Sequence, residues 1–147
     1  MKIAIASDHG GFDLKKEVVE YLKEKGYEVK DLGTHSNESV DYADYAKPVC
    51  EMVRREEGTN GILICGTGLG MSMSANKIKG IRAACVAEPF SAKMAKEHNN
   101  ANVLCFGARV LGIELVKMIL DEYLDNEFEG GRHQRRIDKI MALEGEL

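Results

Sequence analysis

The sequence predicts a doubly wound α/β fold, and three observations carry that prediction. Short β-branched runs alternate along the whole chain with amphipathic helical patterns. The strongest of those runs are apolar without interruption, as strands of a parallel sheet covered on both faces are. The 147 residues, 44% hydrophobic and 30% charged, suffice for one sizeable core and carry the mix usual in globular domains. Residues 1–147 are therefore read as a single domain, with no repeat, low-complexity segment or linker.

The first strand is Ile3-Ala4-Ile5-Ala6. The helix after it rests on Leu14, Val18, Val19 and Leu22, spaced i, i+4, i+5, i+8, with Gly26 as its stop. Val29-Lys30-Asp31-Leu32 is a weaker second strand, followed by a helix over Asp41 to Glu57. Gly61-Ile62-Leu63-Ile64-Cys65 is the third strand, and the glycine-rich turn after it opens another helix. Ala83-Ala84-Cys85-Val86 and Val103-Leu104-Cys105-Phe106 are the fourth and fifth strands, with a helix over Glu88 to Glu97 between them. Helices over Ala108 to Leu124 and about Gly131 to Leu143 complete the order. Pro48 and Pro89 are expected in the first turns of their helices.

Charge and composition exclude several classes of partner. A net charge of -4 gives no global attraction to nucleic acid or to anionic membrane, so an anionic ligand must be drawn by local cations. Apolar runs of a few residues fall far short of the roughly 20 needed to cross a bilayer. The segment Met1-Lys2-Ile3-Ala4-Ile5 reads as a strand without the longer apolar core of a signal peptide. Cys50, Cys65, Cys85 and Cys105 form no C-x-x-C pair. They are read as reduced thiols of a cytoplasmic protein, neither a zinc site nor a disulfide framework.

In such folds ligands bind beyond the carboxyl ends of the strands. That rule selects Ser7 to Gly11, Cys65 to Gly70, Ala87 to Asn99 and Gly107 to Arg109. Cys65-Gly66-Thr67-Gly68-Leu69-Gly70 joins a strong strand to a helix, and its three alternate glycines let successive N–H groups turn inward around an anion. A dinucleotide fingerprint would need glycine at Met71, and no Walker lysine follows. What remains is a nest for a small anion or a developing oxyanion. Cys65 stands at its mouth. A free thiol is only about 3% ionised at pH 7, and a helix N-terminus promotes the reactive thiolate. Alone, Cys65 reads as a small strand hydrophobe; beside the glycine turn, the reading as base or nucleophile is the better one.

Asp8-His9-Gly10-Gly11 ends the first strand. Asp8 alone reads as a helix cap, whereas His9 beside two glycines presents a ring where backbone can approach a ligand. His98-Asn99-Asn100 ends a helix, where a histidine can cap carbonyls or deliver protons near neutral pH. Arg132 and Arg136 lie four apart with Lys139 on the same face, a spacing that suits a phosphate and equally suits a solvated basic face. Arg109 is a third candidate cation. Ile137, Ile140 and Met141 form the stripe expected to face the core, with His133 near its edge and read as structural.

Together these residues resemble the ribose-5-phosphate isomerase B family, which also includes allose- and galactose-6-phosphate isomerases. The likeness covers nearly the whole chain. It rests on Ser7-Asp8-His9-Gly10-Gly11, Val40-Asp41-Tyr42, Cys65 to Ser72, Glu88 to Ala92, Glu97 to Asn102 and Arg132 to Ile137. The resemblance implies a Rossmann-like three-layer αβα sandwich with a five-stranded parallel sheet. It also implies a homodimer, of a kind that can pair into a tetramer, with active sites at the subunit interface and neither metal nor organic cofactor. Cys65 would correspond to the proton-abstracting base, His98 to the acid that assists ring opening, and Thr67 to its helper. Asp8, His9, Tyr42, Asn99, Arg109, Arg132 and Arg136 would touch substrate, and Gly66, Thr67, Gly68, Leu69 and Gly70 would line the nest. The implied reaction is the aldose-ketose interconversion of ribose 5-phosphate and ribulose 5-phosphate in the non-oxidative pentose phosphate pathway. A six-carbon sugar phosphate is the rival within this chemistry. A non-catalytic nucleotide- or flavin-binding module is the rival outside it, disfavoured by 6% aromatic residues and no tryptophan.

Overall fold

A computed structural model of the chain describes residues 1–145; the last two residues of the span read as one domain lie outside the described residues. Its sheet contains five parallel strands, β1 (Lys2–Ser7), β2 (Glu28–Asp31), β3 (Thr59–Cys65), β4 (Ala83–Cys85) and β5 (Val103–Gly107), in the spatial order β2-β1-β3-β5-β4. The runs with the cleanest apolar character occupy the centre: β1, β3 and β5 are buried nearly throughout. One edge explains the weaker run. Along β2, Glu28-Val29-Lys30-Asp31 alternates exposed and half-buried positions, as a strand with one side in water must.

Side chains of the central strands alternate between two cores. Ile3, Ile5, Ile62, Ile64, Leu104 and Phe106 belong to one, where Val18 and Leu22 of α1 (Phe12–Glu24), Ala92 of α4 (Pro89–Glu97) and Ile119 and Leu120 of α5 (Ile113–Leu124) pack on them. Ala4, Ala6, Leu63, Cys65, Val103 and Cys105 belong to the other. Val49 and Val53 of α2 (Tyr42–Arg55) and Met71 and Ala75 of α3 (Leu69–Ala75) cover those. Each fully buried aliphatic side chain contributes roughly 1.5–3 kcal/mol relative to exposure. The expected three-layer αβα sandwich is the observed architecture.

Three local expectations are corrected. Pro89 is the first residue of α4, but Pro48 lies inside α2 and not in its first turn. The helix forgoes the bond that residue 48 would donate to the Asp44 carbonyl, and the buried Ala46, Val49, Cys50 and Val53 hold it in place. The helix expected from Ala108 begins at Ile113 instead. Its predicted first turn is diverted because the N–H groups of Ala108 and Arg109 donate to the carbonyls of Cys65 (2.9 Å) and Gly66 (3.0 Å). In α6 (Arg132–Ala142) only Ile137 of the expected apolar stripe is buried; Ile140 is exposed. This helix lies beside the start of β4 rather than on a sheet face, with Met141 Sδ 3.5 Å from the Arg82 guanidinium.

Candidate active site

Because all five strands run the same way, their carboxyl ends gather at one end of the sheet. Asp8 follows β1, buried, its N–H donating to the Ile64 carbonyl and its carboxylate accepting from the Gly11 N–H at 3.2 Å. The cap reading of Asp8 is thus satisfied locally. His9 Nδ1 accepts from the Val40 N–H at 3.1 Å. A neutral imidazole that accepts at Nδ1 carries its proton on Nε2, which leaves His9 a donor for a ligand.

Cys65 is the last residue of β3, buried, with Sγ accepting from the Gly68 N–H at 3.1 Å. An amide aimed at sulfur is a donor that a thiolate accepts more strongly than a thiol does. Gly68 adopts φ +84°, and a Cβ there would stand 2.9 Å from the Phe106 backbone and 3.0 Å from Cys85 Sγ. Both facts restrict the position to glycine. The Leu69 N–H turns to Thr67 Oγ1 at 3.3 Å. Two of the nest's amides therefore serve the loop's own side chains, while those of Gly66 and Thr67 meet no acceptor among the described residues. Tyr42 closes the loop's far side: a Cβ on Gly70 would come within 2.6 Å of its ring.

Arg109 reaches this site through the diverted turn after β5. Its guanidinium stands 3.3 Å from where a Gly66 Cβ would be and 3.5 Å from where a Gly10 Cβ would be, so it spans the ends of β1 and β3. Burial disfavours the thiolate at each of the other cysteines. Burial pushes the Cys50 thiol up to about 12 and raises those of Cys85 and Cys105 as well.

The remaining expected site residues lie at the opposite end of the sheet. Helix α4 carries the chain back down from Pro89, and His98 is its C-cap. The Asn102 carbonyl accepts from the Gly61 N–H at 2.9 Å. Cys65 lies four residues further along β3, about 13 Å away at the usual strand rise. The His98 ring stacks on that of His133, centroids 4.1 Å apart and planes 12° apart. Glu129 Oε2 stands 3.7 Å from His98 Nε2 and 3.5 Å from His133 Nε2. Burial first, then the neighbouring His98 and Arg132, hold the His133 pKa below the usual histidine value. Arg132 and Arg136 are exposed on the outer face of α6, and Asn99, next to His98 in the chain, is exposed as well. The structure thus gathers Asp8, His9, Tyr42, Cys65, Gly66, Thr67, Gly68, Leu69, Gly70 and Arg109 at one end. It leaves His98, Asn99, Arg132 and Arg136 at the other.

Several supporting residues at the lower end escape a reading of the sequence. The Arg82 guanidinium donates to the carbonyls of Asn99 (3.3 Å) and Asn100 (2.7 Å) and so fixes the loop after His98. Tyr123 Oη is 2.6 Å from the Ala101 carbonyl, and Lys96 Nζ donates to Asn60 Oδ1 at 2.9 Å. Lys96 had a legible signal, since it falls on the stripe of Ala92 and Ala95 that α4 buries. Glu129 had none. His133, read as structural, is buried but in contact with His98. A cavity of about 620 Å³ lies at this end as well, lined by Ile81, Arg82, Asn99, Ile140 and Met141 among others and not by Cys65.

The model of the Ribose/Galactose Isomerase family matches residues 3–140. Ribose-5-phosphate isomerase B of Escherichia coli (strain K12) is 53% identical over 143 residues, covering 97% of this chain and 96% of that protein. The structure of Clostridium thermocellum ribose-5-phosphate isomerase B superposes with a TM-score of 0.97 at 53% identity over 99% of each chain. That of the Mycoplasma genitalium enzyme, with bound ribulose-5-phosphate, gives 0.94 at 47% identity over 99% of this chain and 97% of that one. Sequence and backbone agree from the first strand to the last helix, and this chain belongs to the Ribose/Galactose Isomerase family.

Proposed function

We propose that the chain interconverts ribose 5-phosphate and ribulose 5-phosphate as a single-domain, cofactor-independent enzyme of the non-oxidative pentose phosphate pathway. The observation that carries this reading is the Cys65 thiol at the end of β3, met by the Gly68 N–H at 3.1 Å within a glycine loop. His98, helped by Thr67, protonates the ring oxygen of the bound sugar and takes the proton of the anomeric hydroxyl, releasing the aldehyde. The Cys65 thiolate removes the proton from C2, and charge develops on the carbonyl oxygen. Free amides of the loop stabilise that charge, a contribution of several kcal/mol in comparable oxyanion holes. A proton passes from O2 to O1 and Cys65 returns its own to C1, giving the ketose. His9, Arg132 and Arg136 hold the phosphate, whose binding energy orients the reacting carbons.

The separation of the two residue groups supports a homodimer in which His98, Asn99, Arg132 and Arg136 of one copy complete the site around Cys65 of the other; dimers of this kind can pair into a tetramer. Leu69, Met73, Phe90 and Val110, large apolar side chains of the loops and helices around the Cys65 end, are exposed in the single chain and suit coverage by a second copy. No helix of the described residues is long and apolar enough to cross a membrane. A catalytic free thiol fits a reducing compartment, and we place the enzyme in the cytoplasm. The test is a coupled assay for ketose formation, with chelator present, on ribose 5-phosphate, allose 6-phosphate and galactose 6-phosphate. The highest kcat/KM is expected on ribose 5-phosphate; preference for a six-carbon substrate would transfer the same chemistry to that sugar, and absence of turnover on all three would refute the reading.

A further inference from the structure

Three side chains at the lower end of the sheet converge in a way that proton transfer alone does not require. One ring nitrogen of His98, one of His133 and a Glu129 carboxylate oxygen all lie within 4.8 Å of one another. The carboxylate oxygen is 3.7 Å from one nitrogen and 3.5 Å from the other. Ligand atoms of a tetrahedral zinc ion, at bonds of 2.0–2.1 Å, stand about 3.3–3.4 Å apart. Two imidazoles and one carboxylate, with a fourth position open, form a donor set that suits zinc and its neighbours better than magnesium or calcium, which prefer oxygen alone.

Two further features fit an ion that comes and goes rather than a permanent one. The parallel stacking of the rings sets their lone pairs side by side, so one ring must turn about χ2 for both nitrogens to meet one ion. His98, 37% exposed, is free to do so, whereas His133, 9% exposed, is fixed by packing. The exposed guanidinium groups of Arg132 and Arg136 on the same helix as His133 repel a cation and weaken the site. An ion seated there takes the Nε2 lone pair of His98.

We propose that His98, Glu129 and His133 form an exchangeable, inhibitory site for a divalent transition metal of the zinc class, one that withdraws His98 from the isomerase reaction. The inhibition rests on the isomerase reading above; the binding does not.

The test uses the full-length reduced protein, titrated with Zn²⁺ against a chromophoric chelator and with Co²⁺ by absorption. Cys65 is the competing ligand, and a thiolate–Co²⁺ charge-transfer band would betray it. Saturable Zn²⁺ binding is expected in the wild type and in Cys65→Ser, with Co²⁺ bands lacking thiolate charge transfer. Affinity should fall at least about tenfold in His133→Asn and in Glu129→Gln, the lower end of what loss of even a supporting contact costs a metal site. Glu129 is half exposed, so Glu129→Gln keeps the test sound where His133→Asn unfolds. Unchanged affinity in Glu129→Gln, or binding lost only in Cys65→Ser, would overturn the site. Zn²⁺ should also slow ketose formation in the wild type, reversibly on chelation and less in Glu129→Gln. Binding without inhibition would keep the metal site and remove its inhibitory role, whereas an enzyme inactive even with chelator would count against the isomerase reading instead.

Discussion

Cys65 and Gly68 act as a pair, because the residue that points its amide at the sulfur must hold a φ that side-chain-bearing residues avoid. Cys65→Ala is expected to lower kcat by at least about 10²-fold, since a positioned base contributes 10²–10⁴; circular dichroism should show the fold intact, and near-normal turnover would release Cys65 from this role. Gly68→Ala tests the amide. Strain of about 1–3 kcal/mol at that φ, and the clash with the Phe106 backbone, should displace the loop. Both kcat and the rate of Cys65 alkylation should then drop; unchanged alkylation would show that the sulfur does not depend on this amide. The glycines and the cysteine are legible in the sequence. Their bond is not, because it depends on the turn conformation that β5 and the Phe106 backbone impose.

At the scale of elements, two helices with similar sequence signals do different work. Arg132 and Arg136 lie exposed on α6, so Arg136→Ala should leave the fold unchanged and mainly raise KM. A charge-assisted hydrogen bond contributes roughly 1.5–3 kcal/mol, or about ten- to a hundredfold; an unchanged KM would mark a merely solvated face. On α4 the cation is buried: Lys96 meets Asn60 Oδ1 and the Tyr123 ring, 4.2 Å from its centroid, and burial lowers its pKa from 10.5 to about 8. A lowered folded-state pKa means that the unfolded chain holds this proton more tightly between pH 8 and 10.5. Burying the charge therefore costs stability at and below pH 8, and the cost is relieved as pH rises through that window. Denaturant unfolding of the wild type and of Lys96→Met, at pH 7 and pH 10, should show the difference between them move in favour of the wild type at the higher pH, by up to about 3 kcal/mol. A pH-independent difference would mean that Lys96 is not the titrating group.

For the whole molecule, the decisive feature is the distance between the two ends of a parallel sheet. If Cys65 of one copy works with His98 of the other, then Cys65→Ala and His98→Asn, each inactive alone, should complement when mixed and refolded together. In a mixed dimer one site carries both substitutions and the other neither, so random pairing restores roughly a quarter of wild-type activity. Failure to restore any activity, with mixed dimers shown to form, would confine the chemistry to one chain. Thermal melts should also depend on protein concentration, as expected when folding and association are linked.

The sequence by itself determined the layers and most of the candidate site. Apolar runs that ignore period 2 marked strands of a parallel sheet covered on both faces, and helical stripes such as Leu14, Val18 and Leu22 marked the helices that cover it, because burying both patterns removes them from water. Glycine spacing beside Cys65, and Arg132 with Arg136, were visible as well, since local backbone geometry and helical periodicity are properties of neighbours along the chain. Only the tertiary structure decided which of these residues meet. The turn that carries Arg109 over Gly66 exists because the end of β5 bonds to the end of β3, a pairing between residues some forty positions apart. His98 was separated from Cys65 because α4 returns the chain to the amino end of the sheet, and it was joined to His133 and Glu129 because α6 packs there. Contacts of that kind are fixed by how whole elements stack, and no local spacing encodes them.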